Sequence, residues 1–596
     1  MSKFKSLRGI FRLKFMLLAI LIGMASRVAA DPFPVITYYF ELNENNWKSA
    51  TINITIENNS QDRLLCILPG ISGAVIQSAL LTPRVSKFSV TGEGVKDPTF
   101  QKVNENSWLI HTNGNRTIVI SYSISKLENI FLGKYFTHSY ALIDNPAIFM
   151  IIRELKNYPV RLTISVPYGW KLATSLPFAG DNFEYSALNY EQLAQHPLFL
   201  APFQEIYFTY YNQIHFVLYN KNISSTLSDK ISKFSQKIFR SQCGFFGTIP
   251  KDRYFFIFNF LKGKNPITFQ SFDNGSIFFL PRQFESLDYP ILQRKISSGL
   301  FSHWFRNIRP SVENIECQMQ QFKNLWFWHG AAEYYGALFL TKSGEWSEEF
   351  FINYLIGQIN QLQKIQNANK TPISRQQLTG QGSAMLEASD LIRLKGELLC
   401  LVLDLKIRDV TQNKKSLNDI VKFIHQWSEL HVRGMEDANL LEIINSVTNV
   451  DFTTFFDLYI DGVIEMPLAD ALNKAGIFVE SRPDTVPDVG NVTIEKNIIT
   501  NFDRFSPLAL AGVKKGDRVI AINQFQIQSY IDTKILNDSL HVGKGNELMV
   551  SREGLSLLLS LNVPGRTIRQ TYIVSKEPKT DFQAAIRKKW LTGSME

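Results

Sequence analysis

Two segments constrain this 596-residue chain more than any other feature: Ser298-Gly-Leu-Phe-Ser302-His-Trp-Phe305 and, later, Leu325-Trp-Phe-Trp-His329-Gly-Ala-Ala-Glu333-Tyr-Tyr-Gly336. Read as helices, the first sets Ser298 and Ser302 one turn apart on one face with Gly299 between them, and the second sets His329 and Glu333 at i, i+4. That is the spacing of paired ligands and a base, without the side chains. A serine hydroxyl is a poor neutral ligand for a dication, and glycine cannot take a proton.

The flanks of the two segments resemble the glycyl aminopeptidase family of zinc metallopeptidases. That family reads His-Glu-x-x-His-x-Trp-Asn, then Arg-Pro, then Leu-Trp-x-x-Glu-Gly-x-Thr-x-Tyr-Tyr. Trp304, Arg309, Pro310, Leu325, Trp326, Gly330, Tyr334 and Tyr335 stand where the pattern expects them. In the family the first motif supplies two imidazole ligands and a general base, and the later Glu closes the zinc shell. The resemblance places Ser298, Gly299 and Ser302 at the ligand, base and ligand positions and His329 at the third-ligand position. It also implies an upstream Gly-Gly-Leu-Glu-His segment on an edge strand that holds the substrate's N-terminus. The nearest stretch here, Phe272 to Phe279, has neither Glu nor His. A family tyrosine that donates to the developing oxyanion precedes the Lys-Gly opening a later helix, and before Lys395-Gly396 that slot is Arg393. Losing ligands, base, anchor and oxyanion donor together while the scaffold residues stay points to relaxed catalytic constraint.

Other readings of the same residues stay open. His303 follows the second ligand position by one residue, so on a helix it points about 100° from that face and suits a core histidine. His303, His329 and Glu333 together form the alternative, a rearranged zinc site, with Glu333 more simply a helix-face charge. No His-Glu dipeptide, Gly-x-Ser-x-Gly or Gly-rich phosphate loop offers replacement chemistry, and Asp457 and Asp461, four apart on an expected helix, read as a solvated face.

The first thirty residues carry six basic side chains and no acid, an apolar run Phe15 to Met24, and Val28-Ala29-Ala30. These are the marks of a signal peptide over 1–30, with Asp31 as the new N-terminus, against the alternative of an uncleaved anchor. Six of the nine excess positive charges then leave with the leader, so +3 remains and a nucleic-acid partner is not expected. Export to the periplasm or cell envelope would permit disulfides among Cys66, Cys243, Cys317 and Cys400, and the spacing selects no pairing. No later segment is apolar and long enough to span a bilayer.

The expected fold class is multidomain α+β. Residues 31–203 alternate as strands, for example Thr51 to Ile56, Thr117 to Tyr122 and Arg161 to Val166, and read as a β-sandwich-like domain. The resemblance extends here through Leu68-Pro69-Gly70, Trp108 to His111 and Gly169 to Thr174. Residues 204–475 open with strands at His215 to Tyr219 and Tyr254 to Asn259 and then turn helical, with a buried helix at Lys395 to Arg408 and Ser416 as a helix N-cap. By resemblance this is the thermolysin-like, degenerate peptidase domain. Residues 476–575 contain Ser506 to Asn523, which resembles the short helix, Gly516-Asp517 turn and strand of a PDZ domain, with Val492 to Ile499 beside its groove. The remaining 576–596 reads as a basic, solvated tail.

The functional expectation is a secreted pseudopeptidase without a cofactor that binds a peptide or protein terminus through its cleft and a PDZ groove. An active metallopeptidase with zinc at His329 and a structural scaffold are the alternatives. Peptide-binding residues and oligomeric state are not set by the sequence.

Overall fold

The computed structural model describes residues 33–592 apart from stretches of which 70–83, 306–323, 376–382 and 431–439 are the longest. The leader expected over 1–30, Arg309-Pro310 and Cys317 lie outside the described residues.

The N-terminal part is β-rich. A six-stranded sheet runs in the order Glu184–Ala187, Val160–Ser165, Val35–Leu42, Ser49–Glu57, Ile118–Ser125 and Arg84–Gly92. Strict alternation buries Ile36, Tyr38, Phe40 and Leu42 on one face. A four-stranded sheet including Arg63–Ile67 and Ser107–His111 shares that core, with Phe88 stacked on Trp108 at 5.0 Å between centroids. All three strands expected from the alternation are present.

A five-stranded sheet links this part to the helices. Its order is Gln204–Tyr210, Gln213–Tyr219, Phe255–Leu261, Gly275–Pro281 and Thr268–Phe272, so among the described residues the last of these is an edge. Alternation along Phe255–Leu261 sends Phe255 and Ile257 to the N-terminal core and Phe256, Phe258 and Phe260 to the helical core. One sheet therefore belongs to two cores. The Phe272 to Phe279 stretch, matched above to an edge-strand segment, is corrected here: it turns the corner from the edge strand into the interior strand beside it.

The helices against that sheet are α1 (Ser225–Phe246), α2 (Tyr289–His303), α3 (Leu325–Lys342), α4 (Glu348–Lys364), α5 (Ser383–Val410) and α6 (Leu417–Leu430). Ser224 caps α1 by accepting from the Leu227 N–H at 3.3 Å, and Gly247, at φ +69°, ends it in the left-handed region. At α6 the Asp419 carboxylate accepts from both the N–H and the hydroxyl of Ser416, satisfying an N-terminal N–H of the helix. Lys395 lies inside α5 rather than opening it, and the helix Thr453–Tyr459 stops before Asp461, so Asp457 and Asp461 do not share a helix. No helix of the described residues is long and apolar enough to cross a membrane.

Beyond the helices, strands Phe478–Pro487 and Gly565–Ser575 pair as a two-stranded ribbon carrying a separate core that runs from Val489 to Val563. Within that unit the Asp517 carboxylate accepts from the Lys514 N–H at 2.8 Å and from Arg552. The expected solvated tail is instead a docked helix, α7 (Asp581–Leu591), with Ile586 and Trp590 buried. Their i, i+4 spacing makes one apolar face among the basic residues. Cys66, Cys243 and Cys400 are free and buried, and burial pushes the Cys243 thiol up to about 12.

Candidate functional site

Helices α2 and α3 pack closely because both carry small residues where they cross. A Cβ on Gly336 would overlap Ser298, and one on Gly330 would overlap the backbone of Gly396 in α5. The scaffold aromatics hold this arrangement. The Trp304 indole N–H donates to Gln242 at 3.0 Å, Gln242 in turn donates to the Ser297 carbonyl at 2.9 Å, and the Tyr335 hydroxyl donates to Asn418 at 2.9 Å.

Ser298 and Gly299 are buried, with Gly299 against Phe278 and Phe269 and its carbonyl accepting from Ser271 at 2.8 Å. Ser302 turns back into its own helix, donating to the Ser298 carbonyl at 3.0 Å. His303 is fully buried, edge-on to Tyr254 at 5.3 Å, as a core histidine would be. His329 is half-buried on α3.

Glu333, read from the sequence as a helix-face charge, does not lie on an exposed face. It is buried, and three side chains of α2 converge on it. The Lys295 ammonium reaches Oε1 at 2.9 Å, while Arg294 and, at 3.4 Å, the Ser298 hydroxyl reach Oε2. Burial alone would raise the carboxyl, but Lys295, Arg294 and Arg393 hold it well below the usual carboxylate range. Burial, with the like charges of Arg294 and Arg393, pulls the Lys295 ammonium down to about 8 although Glu333 opposes it.

Arg393 and Glu397 approach from α5 at i, i+4. The Glu397 carboxylate accepts from the Tyr354 hydroxyl of α4 at 2.6 Å and from Gln358 at 2.9 Å, and burial raises its carboxyl. Arg294 lies over the Tyr354 ring at 5.4 Å, and Lys295 over Phe269 of the edge strand at 5.6 Å.

The geometry brings Ser298 and Glu333 together, and the charge of Arg393 is felt there. The cations Arg294 and Lys295 were not singled out from the sequence. Their signal was a charged pair on the turn before Ser298 in a helix that is otherwise mostly apolar. The donor set does not suit zinc: both oxygens of Glu333 are engaged by protein cations that would repel a dication, and the neighbouring α2 positions are hydroxyls. Among the described residues no group of three or more His, Cys, Asp or Glu could hold a metal ion.

Two family models match parts of the chain. Residues 37–202 match the Peptidase M61 N-terminal domain, and residues 301–390, which include α3 and the start of α5, match M61 glycyl aminopeptidase. Against proteins of curated function the sequence finds no match. Among solved structures the chain is similar to an aminopeptidase N family protein from Idiomarina loihiensis, at 16% identity and a TM-score of 0.72, over 94% of this chain and all of that one. This likeness is one of fold. A two-domain M1 zinc metallopeptidase variant bound to L-tryptophan matches at 12% identity and a TM-score of 0.46, over 73% of this chain and 96% of that one.

Proposed function

Since the chain belongs to the M61 peptidase family, we propose that it is a degenerate member without peptidase activity, which binds a peptide or protein terminus and does not cut it. The observation that carries this reading is the buried Glu333, whose counter-charges are Lys295 and Arg294 beside Ser298. In a zinc peptidase the metal and a base together make the water a nucleophile, and Ser298, Gly299 and Ser302 supply neither ligand nor base. No cofactor enters the proposal.

The peptide seat in this reading is the strand Thr268–Phe272, the outer strand of its sheet among the described residues. Main-chain strand addition requires no particular side chain there. The proposal extends to the unit between Val489 and Val563 as a PDZ-like module. Supporting it are the helix Pro507–Leu510, the Gly516 turn at φ +96° and the strand Arg518–Ile522 in that order. Export through a leader over 1–30, and the domain division at 203, 475 and 575, belong to the same proposal.

The test is elemental analysis after dialysis against zinc, paired with hydrolysis of aminoacyl p-nitroanilides. Absence of both stoichiometric zinc and turnover is expected. One zinc per chain that is lost in His329→Ala, together with turnover, would establish a rebuilt metallopeptidase instead.

A further inference from the structure

The cluster around Glu333 is out of balance. Arg294, Lys295 and Arg393 bring three positive charges to a neighbourhood that holds two carboxylates, Glu333 and Glu397. Glu333 is saturated by Arg294, Lys295 and Ser298, and Glu397 by Tyr354 and Gln358. Arg393, half-buried on α5, makes no hydrogen bond or ion pair among the described residues, yet its charge is felt by both Lys295 and Glu333. A half-buried cation without a counter-charge is a ready partner for an anion that reaches it.

Access exists on one side. The Arg294 and Lys295 side chains keep 15% and 13% of their surface exposed, and Lys295 leans over Phe269 on the edge strand Thr268–Phe272. A chain added to that edge would run past the ammonium. The place also disfavours a peptide's amino terminus, because both carboxylates are engaged and the excess charge is positive.

We propose that Arg393 and Lys295 form a carboxylate site that takes the C-terminal carboxylate of a peptide lying along the edge strand Thr268–Phe272. The guanidinium offers two parallel N–H donors to the carboxylate and Lys295 a third contact. This rests on the reading of the protein as a peptide binder and makes it specific: the chain end recognised is the carboxyl end.

The test uses the full-length protein immobilised and three pooled libraries of N-acetylated decapeptides competing in one solution. The first lacks Asp and Glu and has free C-termini, the second is the same library amidated, and the third is amidated with one Glu at varied positions. Mass spectrometry reads the captured ratios. Free acids are expected to outcompete amides about tenfold or more, and Arg393→Gln is expected to bring the ratio to about one while Arg393→Lys restores part of it. Unchanged thermal melting of Arg393→Gln would show that the loss is not one of folding. Equal capture of acids and amides overturns the carboxylate site but leaves peptide binding standing. Capture of the Glu library equal to the free acids overturns recognition of a terminus. Capture of none overturns both this site and the binding reading beneath it.

Discussion

Glu333 and Tyr334 are neighbours on α3 and belong to two buried polar networks of opposite character. Tyr334 donates to Asp404 at 2.6 Å and accepts from the Trp590 indole at 2.7 Å. The other oxygen of Asp404 takes the Arg408 guanidinium at 3.1 Å and the Leu417 N–H at 3.0 Å. One carboxylate meets one guanidinium, with both almost wholly excluded from solvent. The network at Glu333 has a surplus cation and still touches solvent. A sealed network ties helices together, whereas one that touches solvent is a place where a charge can be received.

Mutations test that contrast in descending order of effect. Asp404→Ala strands Arg408 without its counter-charge and is expected to cost about 4 kcal/mol in urea unfolding. Glu333→Ala leaves two cations that can still reach water, so a smaller loss of about 3 kcal/mol is expected. If the Glu333 variant proves the more damaging, the difference in sealing does not hold. Gly330→Ala forces α3 away from Gly396 and should cost about 2 kcal/mol by the same assay, as overpacking does. Trp590→Phe removes a single neutral hydrogen bond, for about 1 kcal/mol.

A pH-dependent effect, separate from that ranking, concerns Lys295, which faces Glu333 from α3, Arg294 on its own helix and Arg393 from α5. Its pKa is lowered from 10.5 to about 8 by folding. Between those values the unfolded chain binds more protons, so this group makes stability rise with pH over that window. Below about 8 the buried ammonium carries its full penalty. Lys295→Met should remove that rise, and Arg393→Gln should narrow its window by taking away a like charge. Stability measured at intervals from pH 7 to pH 11 on the three proteins checks both expectations.

The sequence made local features legible. The strands at Thr51 to Ile56 and Arg161 to Val166 follow from alternation, and the helices bearing Ser298 and Glu333 from spacing and flanking aromatics. Whatever depends on distant partners was hidden. Glu333 read as a helix-face charge because its partners Arg294 and Lys295 sit on another helix, 39 and 38 residues away. The docking of α7 was missed because Trp590 finds its hydrogen-bond partner 256 residues upstream, where no periodicity reaches. The edge strand was misplaced because Phe272 to Phe279 contains a turn that only pairing reveals.

That last helix has a consequence for how the molecule is made. The core around Tyr334 and Asp404 receives Ile586, Trp590 and Leu591 as members. A nascent chain leaving the ribosome cannot close it until synthesis has passed residue 591. Until then the indole's place beside Tyr334 stands open. The helical region is therefore latched by a segment that reaches it from beyond the strand-rich unit.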